Sequence, residues 1–182
     1  MRGKIIVCML AFFSLLLLSC LTASAQQPNK NQIYIGSKSL NISYDSSAFS
    51  DDELSGYQIG YSRVFEKNFE FRGSFYSLEH DDDSDVTADG YDLGLVAGMV
   101  DLGFKLYGGI GYFSETWENS NSHDFSGWEL KGGLGYNWSK VGLDFEVDIR
   151  DPSDYENYVN AVYGTNTDAA AASASLNLGI RF

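Results

Sequence analysis

From Ile33 onward the chain alternates apolar and polar residues with a period of two, in one segment after another. No other feature restricts its fold as much. Between Trp128 and Trp138 one side reads Trp128, Leu130, Gly132, Leu134, Tyr136, Trp138, and the other reads Glu129, Lys131, Gly133, Gly135, Asn137. The next segment sets Val141, Leu143, Phe145, Val147 and Ile149 against Gly142, Asp144, Glu146, Asp148 and Arg150. Alternate side chains of a strand point to opposite faces, so each segment carries one apolar and one charged face. Eight strands are predicted, over 33–44, 54–65, 69–80, 91–100, 103–113, 126–138, 141–150 and 169–182. Period two alone fits a soluble sandwich as well as a membrane barrel.

Loop length separates the two. Strands two and three are joined by Glu66-Lys67-Asn68, four and five by Asp101-Leu102, and six and seven by Ser139-Lys140. The other four connections run about nine to eighteen residues. Short turns at one end and long loops at the other mark an all-β, eight-stranded antiparallel up-and-down transmembrane β-barrel; a sandwich has no reason to sort loops this way. Charge follows the same division. The long loops, with Glu115 counted among them, hold 17 of the 25 acidic residues and no lysine or arginine, whereas the short turns carry Lys67 and Lys140. One end of the barrel is therefore strongly anionic, and a net charge of −13 excludes the basic footprint that a nucleic-acid partner requires.

Register supplies predicted contacts. A two-residue turn at Ser139-Lys140 sets Trp138 opposite Val141, which places Lys131 opposite Asp148 and Glu129 opposite Arg150 on the inner face. Both pairs are of opposite sign, the favourable arrangement across a ladder. Glu129, Lys131, Asp148 and Arg150 are thus expected to be interior ion pairs, since a lone buried charge is costly. Lys38 and Arg63 fall on nominally outward positions, and Arg63 can snorkel to the interface.

The first residues read as an address. Arg2 and Lys4 precede an apolar run from Ile5 to Leu18, too short for a membrane-spanning helix but suited to a secretory leader. Ala23-Ser24-Ala25 offers a cleavage site, so 1–25 is expected to be a signal peptide and 26–32 a short N-terminal periplasmic segment before the barrel at 33–182. Lipidation at Cys20, after the weak string Leu17-Leu18-Ser19, is the competing outcome. Both cysteines, Cys8 and Cys20, lie in this leader, so cleavage after Ala25 leaves no thiol chemistry.

At the C-terminus Leu176, Leu178, Ile180 and Phe182 alternate with Ser175, Asn177, Gly179 and Arg181, and the chain stops at Phe182. With the GYQIGYSRVF and WELKGGLGYNW hairpin halves, this resembles the OmpA/OmpX-type eight-stranded outer-membrane barrels of Gram-negative bacteria. The resemblance implies that Leu178, Ile180 and Phe182 form the signal read by the barrel assembly machinery. It also implies residence in the outer membrane among its lipid and lipopolysaccharide, as a monomer. With the last strand ending at Phe182, the periplasmic domain of full-length OmpA-like proteins is not expected here.

Chemistry is sparse. His123 and Ser126 have hydrolytic residue types, but three positions and opposite faces separate them, so no catalytic residue is assigned. Asp81, Asp83 and Asp85 alternate as in a calcium loop, yet Val86 stands where glycine is needed and the closing glutamate is missing, so no metal site or cofactor is expected. Tyr155, Tyr158 and Tyr163 in the last long loop are candidate contacts with an unknown extracellular partner, because tyrosine is a rigid, amphipathic contact residue. The bland alternative, that they extend the barrel wall, stands beside it. Three functions remain open: an envelope-structural or adhesion-type surface protein, a narrow cation-preferring or small-solute channel, and a lipid-modifying barrel enzyme. Inward glycines at Gly60, Gly94, Gly98, Gly109, Gly111, Gly133 and Gly135 are expected to leave some space for a channel.

Overall fold

The computed structural model describes residues 29–46, 49–119, 122–164 and 166–182. The expected leader, its cut after Ala25 and Cys20 lie outside those residues. Eight strands close into an antiparallel barrel in chain order, each paired with its sequence neighbours and the first with the last. They are β1 (Asn31–Tyr44), β2 (Asp52–Glu66), β3 (Phe69–His80), β4 (Thr87–Met99), β5 (Gly103–Glu118), β6 (Ser122–Asn137), β7 (Val141–Arg150) and β8 (Ala169–Arg181). One helix, α1 (Ser153–Tyr163), lies between β7 and β8. The closing seam is fastened at its base, where Asn31 and Phe182 exchange backbone hydrogen bonds of 3.1 and 2.9 Å.

The alternation read from the sequence sorts each strand inside out relative to a soluble protein. In β7 Val141, Leu143, Phe145, Val147 and Ile149 are exposed, while Asp144, Glu146, Asp148 and Arg150 are buried. The outward apolar band is bounded by aromatic rings. Tyr112 and Trp128 pair at 5.8 Å and Phe75 and Tyr91 at 6.3 Å near the loop end; Phe65 with Phe69 at 5.8 Å and Tyr136 with Trp138 at 4.8 Å mark the turn end. Such girdles suit the polar margins of a membrane, where a ring meets both lipid and water.

Several strand limits differ from expectation. β4 starts at Thr87 rather than 91, β5 continues to Glu118 rather than 113, and β6 begins at Ser122 rather than 126. Roughly ten residues cross a membrane, so the 16-residue β5 and β6 extend well beyond it. Above Tyr112 and Trp128 their outward positions become Ser114, Thr116, Asp124 and Ser126, polar residues suited to water. The loop between β5 and β6 is therefore a tall hairpin whose polar outer face disguised it as a loop. At the other end Gly103 opens β5 with φ +91°, a dihedral that favours glycine although no atom crowds its missing Cβ.

The inward glycines do not leave the space expected of them. A methyl at Gly60 would overlap the Tyr34 ring, and one at Gly133 the Tyr107 ring. Gly94 gives way to the Lys131 side chain and Gly111 to Glu129, while Gly98, Gly109 and Gly135 face neighbouring backbone carbonyls. Glycine here makes room for large side chains and for close backbone rather than for solvent. Gly133→Ala is accordingly expected to cost about 1–3 kcal/mol by overpacking, because Tyr107 is held by Glu146 and cannot easily withdraw. Gly132→Ala, where nothing lies within 4 Å, should stay within about 0.5 kcal/mol of the parent. Urea unfolding from micelles, followed by tryptophan fluorescence, measures both.

Candidate functional site

Two connected regions carry the polar chemistry: the barrel interior and the mouth above it. Among the described residues six basic side chains are buried inside, Lys38, Arg72, Lys105, Lys131, Arg150 and Arg181. Seven buried carboxylates face them, Glu70, Asp92, Glu115, Glu129, Asp144, Glu146 and Asp148. Near the turn end Arg72 reaches Glu70 at 3.0 Å, Asp144 at 2.7 Å and Glu146 at 3.0 Å, with the rings of Tyr34 and Tyr107 each 5.1 Å from its guanidinium carbon. Lys105 reaches Glu70 at 3.0 Å. A guanidinium presents its donors in a planar fork, so Arg72 donates to Glu70 and Asp144 at once, and its charge also faces Glu146.

Midway, Lys131 lies 3.0 Å from Asp148, 2.8 Å from Glu129, 3.5 Å from Glu146 and 3.6 Å from Asp92. The β6–β7 ladder pairs Lys131 with Asp148 and Glu129 with Arg150, the register derived from the turn. Across it, however, Arg150 stands 3.7 Å from Glu129 and only 2.8 Å from Glu115. Lys38 corrects an expectation: it points inward and donates to Asp92 at 2.8 Å. The even positions of β1 face the interior, beginning with Gln32 and Tyr34, so Lys38 shares their side. Carboxylate oxygens of Asp92, Glu129 and Asp148 all lie within 4.8 Å of one another, a spacing that suits a metal. The ammonium groups of Lys131 and Lys38 already neutralise that cluster, which does not fit a further cation.

Glu115 connects the interior to the mouth. The sequence reading placed it in an exposed loop; the extension of β5 places it inside, at the same parity as Lys105, Tyr107 and Phe113. Its carboxylate accepts from Arg150 (2.8 Å), Tyr76 (2.8 Å), Trp117 (2.8 Å) and Tyr155 (2.8 Å). The Arg150 guanidinium carbon also lies 4.4 Å from the Phe113 ring centre.

Tyr155 belongs to α1, and this alters the expectation for the three tyrosines. Tyr155 is buried against Phe113, Phe125 and Trp117 and is no surface contact. Burial and the neighbouring Glu115 push its phenol pKa up, so it remains a donor. Tyr158 is half-buried, 4.5 Å from the His123 ring and 5.7 Å from Phe125. Tyr163 stands 62% exposed. The helix itself was missed, although Pro152 ahead of it, Tyr155, Tyr158, Val159 and Val162 at helical spacing, and Gly164 after it were available signals. Asp151 Oδ1 accepts from the Ser153 hydroxyl at 2.6 Å and amide at 3.1 Å, which holds its carboxyl below the ordinary range and turns the chain into the helix. Asp154 then accepts from the Ser126 amide at 2.9 Å and Glu156 from the Ala169 amide at 2.9 Å, tying α1 to β6 and β8. At its far end Gly164 adopts φ +67° and donates to the Asn160 carbonyl.

Of the C-terminal triplet, Leu178 and Ile180 face outward into the apolar band and Phe182 is half-buried at the seam. His123 and Ser126 lie in β6 and turn to different partners, His123 packing against Tyr158 and Ser126 donating to Asp154.

A closed barrel that is apolar outside and ionic inside defines an integral membrane barrel. The chain belongs to the outer membrane protein β-barrel domain family, whose model matches residues 13–182. It is therefore an outer-membrane protein. Ail, the attachment invasion locus protein of Yersinia pestis, is similar in structure with a TM-score of 0.56 at 18% identity, over 86% of this chain and 100% of that one. A structure of Ail in complex with the heparin analogue sucrose octasulfate gives 0.52 at 19% identity, over 86% and 100%. OprG from Pseudomonas aeruginosa gives 0.50 at 12%, over 86% and 97%. At such identities the likeness concerns the fold alone. No curated protein matches the chain in sequence.

Two outcomes follow for the network. Lys131→Met leaves four carboxylates short of a cation and should destabilise the barrel by about 3–5 kcal/mol, while Lys140→Met in the exposed turn should leave the urea midpoint unchanged. Tyr155→Phe removes the donor to the Glu115 carboxylate, worth about 1.5–3 kcal/mol for a hydrogen bond to a charged group. It should leave the barrel folded yet speed protease cleavage within 151–168.

Proposed function

We propose that this barrel is an envelope protein of the surface-interaction, adhesion type, whose working part is the mouth. The observation that carries the reading is the partition of charge. Sixteen of the 25 acidic residues surround the mouth, and every lysine and arginine of residues 29–182 lies either in the interior or at the turn end. Lys30, Arg63, Lys67 and Lys140 are those at the turn end. A surface so strongly one-signed repels anionic partners and steers cationic ones. The name of Ail speaks of attachment and invasion, which agrees with a contact role in this fold. A sulfated ligand such as the one bound to Ail is disfavoured here, since the mouth offers it no lysine or arginine.

The channel reading is weaker because Tyr34, Tyr107 and Tyr76 fill the space beside inward glycines and α1 lies across the mouth. The lipid-modifying enzyme reading has less support, since His123 packs against Tyr158 while the Ser126 hydroxyl donates to Asp154. We further propose that 1–25 is an export leader removed after Ala25, that 26–32 stays on the periplasmic side, and that Leu178, Ile180 and Phe182 are read by the assembly machinery. The barrel then works as a monomer among lipopolysaccharide, without a cofactor.

Two measurements test the reading. The refolded barrel, its folded state verified by a heat-dependent gel shift, should be silent in a planar bilayer; cation-selective steps that vanish on boiling would establish the channel instead. Bacteria displaying the barrel should adhere to cultured cells more than the empty host does, and lose that gain when a glycine-serine linker replaces 152–164. Equal adherence of both would overturn the proposal.

A further inference from the structure

A cleft of about 680 Å³ opens at the mouth between α1, the β1–β2 connection and the tops of β5 and β6. Its walls are Tyr44, Phe49, Trp117, Phe125, Tyr158 and Tyr163. On one side Phe49 lies 5.0 Å from Tyr163 and 6.0 Å from Tyr44; on the other Phe125 lies 5.3 Å from Trp117 and 5.7 Å from Tyr158. Asp52 and Asp83 also line it, together with His80. Asp52 accepts from the Tyr44 hydroxyl at 2.8 Å and faces His80 Nε2 at 3.5 Å.

Aromatic faces carry negative electrostatic potential and attract a cation placed over them, more strongly when a carboxylate stands beside it. Elsewhere in this barrel the same combination is already satisfied internally: Arg72 sits between Tyr34 and Tyr107, and Arg150 over Phe113. The cleft repeats that chemistry where the chain supplies no lysine or arginine. We propose that it takes the protonated lysine or arginine side chain of a basic peptide segment. Charge complementarity favours a peptide over a lone amine, because sixteen acidic residues around the mouth attract several positive charges at once. The cleft would then provide the specific seat and the rim the long-range steering. This deepens the contact reading above and rests on it.

The test uses the full barrel refolded in zwitterionic micelles at physiological salt, with a fluorescein-labelled peptide of three Arg-Gly repeats followed by anisotropy. Tyr163→Ala, and the double variant Asp52→Asn with Asp83→Asn, should each weaken binding about tenfold, the order of a partly desolvated cation–π contact. The control pair Asp124→Asn with Asp168→Asn removes the same charge elsewhere and should weaken it less than about threefold, as exposed charges do in salt. A heat-dependent gel shift verifies that each variant is folded. Equal weakening by both double variants, with Tyr163→Ala unaffected, would reduce the effect to diffuse attraction and overturn the seat. Equal affinity for the Gln-Gly counterpart would overturn the cationic assignment, and equal affinity for free arginine amide would overturn the peptide. Cell adherence that persists while peptide binding is absent would leave the contact role standing and remove only this ligand.

Discussion

Thirteen charged side chains buried in a barrel barely wide enough to hold them set the terms for everything else. Removing ions from water costs several kcal/mol each unless partners replace the lost hydration. The interior meets that requirement with six cations against seven carboxylates. The contacts do not follow the hydrogen-bonding ladder alone. Lys38 of β1 reaches Asp92 of β4, Arg72 of β3 reaches Asp144 of β7, and Arg150 of β7 reaches Glu115 of β5. These are struts across the lumen, joining strands that share no edge. They fix the barrel's cross-section where an apolar core would fix a soluble domain, and they leave the outer face free to be uniformly apolar.

That near-neutral interior also explains the mouth. Of the ten basic residues within 29–182, six are committed inside and four sit at the turn end, so the remaining acidic charge collects around the loops. Asymmetry of this kind costs little where side chains are hydrated and screened. It makes the two ends chemically distinct, and the mouth joins its acidic charge to the aromatic cleft.

The strand count, the direction of most strand faces and the β6–β7 register were legible because each depends on parity, which a single sequence records. What escaped depended on contacts distant in sequence or on a change of environment along one strand. Glu115 looked like a loop acid because its neighbours Ser114 and Thr116 are polar. Their outward positions face water above the aromatic girdle, while position 115 still faces inward. Lys38 was misread because the outward run of β1 is weak, Ser37 and Ser39 following Ile35, so its apolar face gave no firm parity. The glycines were read as space because the rings that fill them, Tyr34 for Gly60 and Tyr107 for Gly133, come from other strands. Segment 153–163 was treated as a loop because acids and asparagines obscured its helical spacing.

Helix α1 joins the ionic interior to the aromatic mouth. Its inner side places Tyr155 on Glu115, which already holds Arg150, so the helix is anchored to the ionic interior rather than only to its flanking loops. Its outer side sends Tyr158 and Tyr163 into the aromatic cleft. A surface built on a mobile loop would lose conformational entropy on meeting a partner. A helix pinned from below and tied to β6 and β8 has already lost most of it. The buried charge that closes the lumen therefore also preorganises the surface above it, and a single set of contacts, centred on Glu115, serves both.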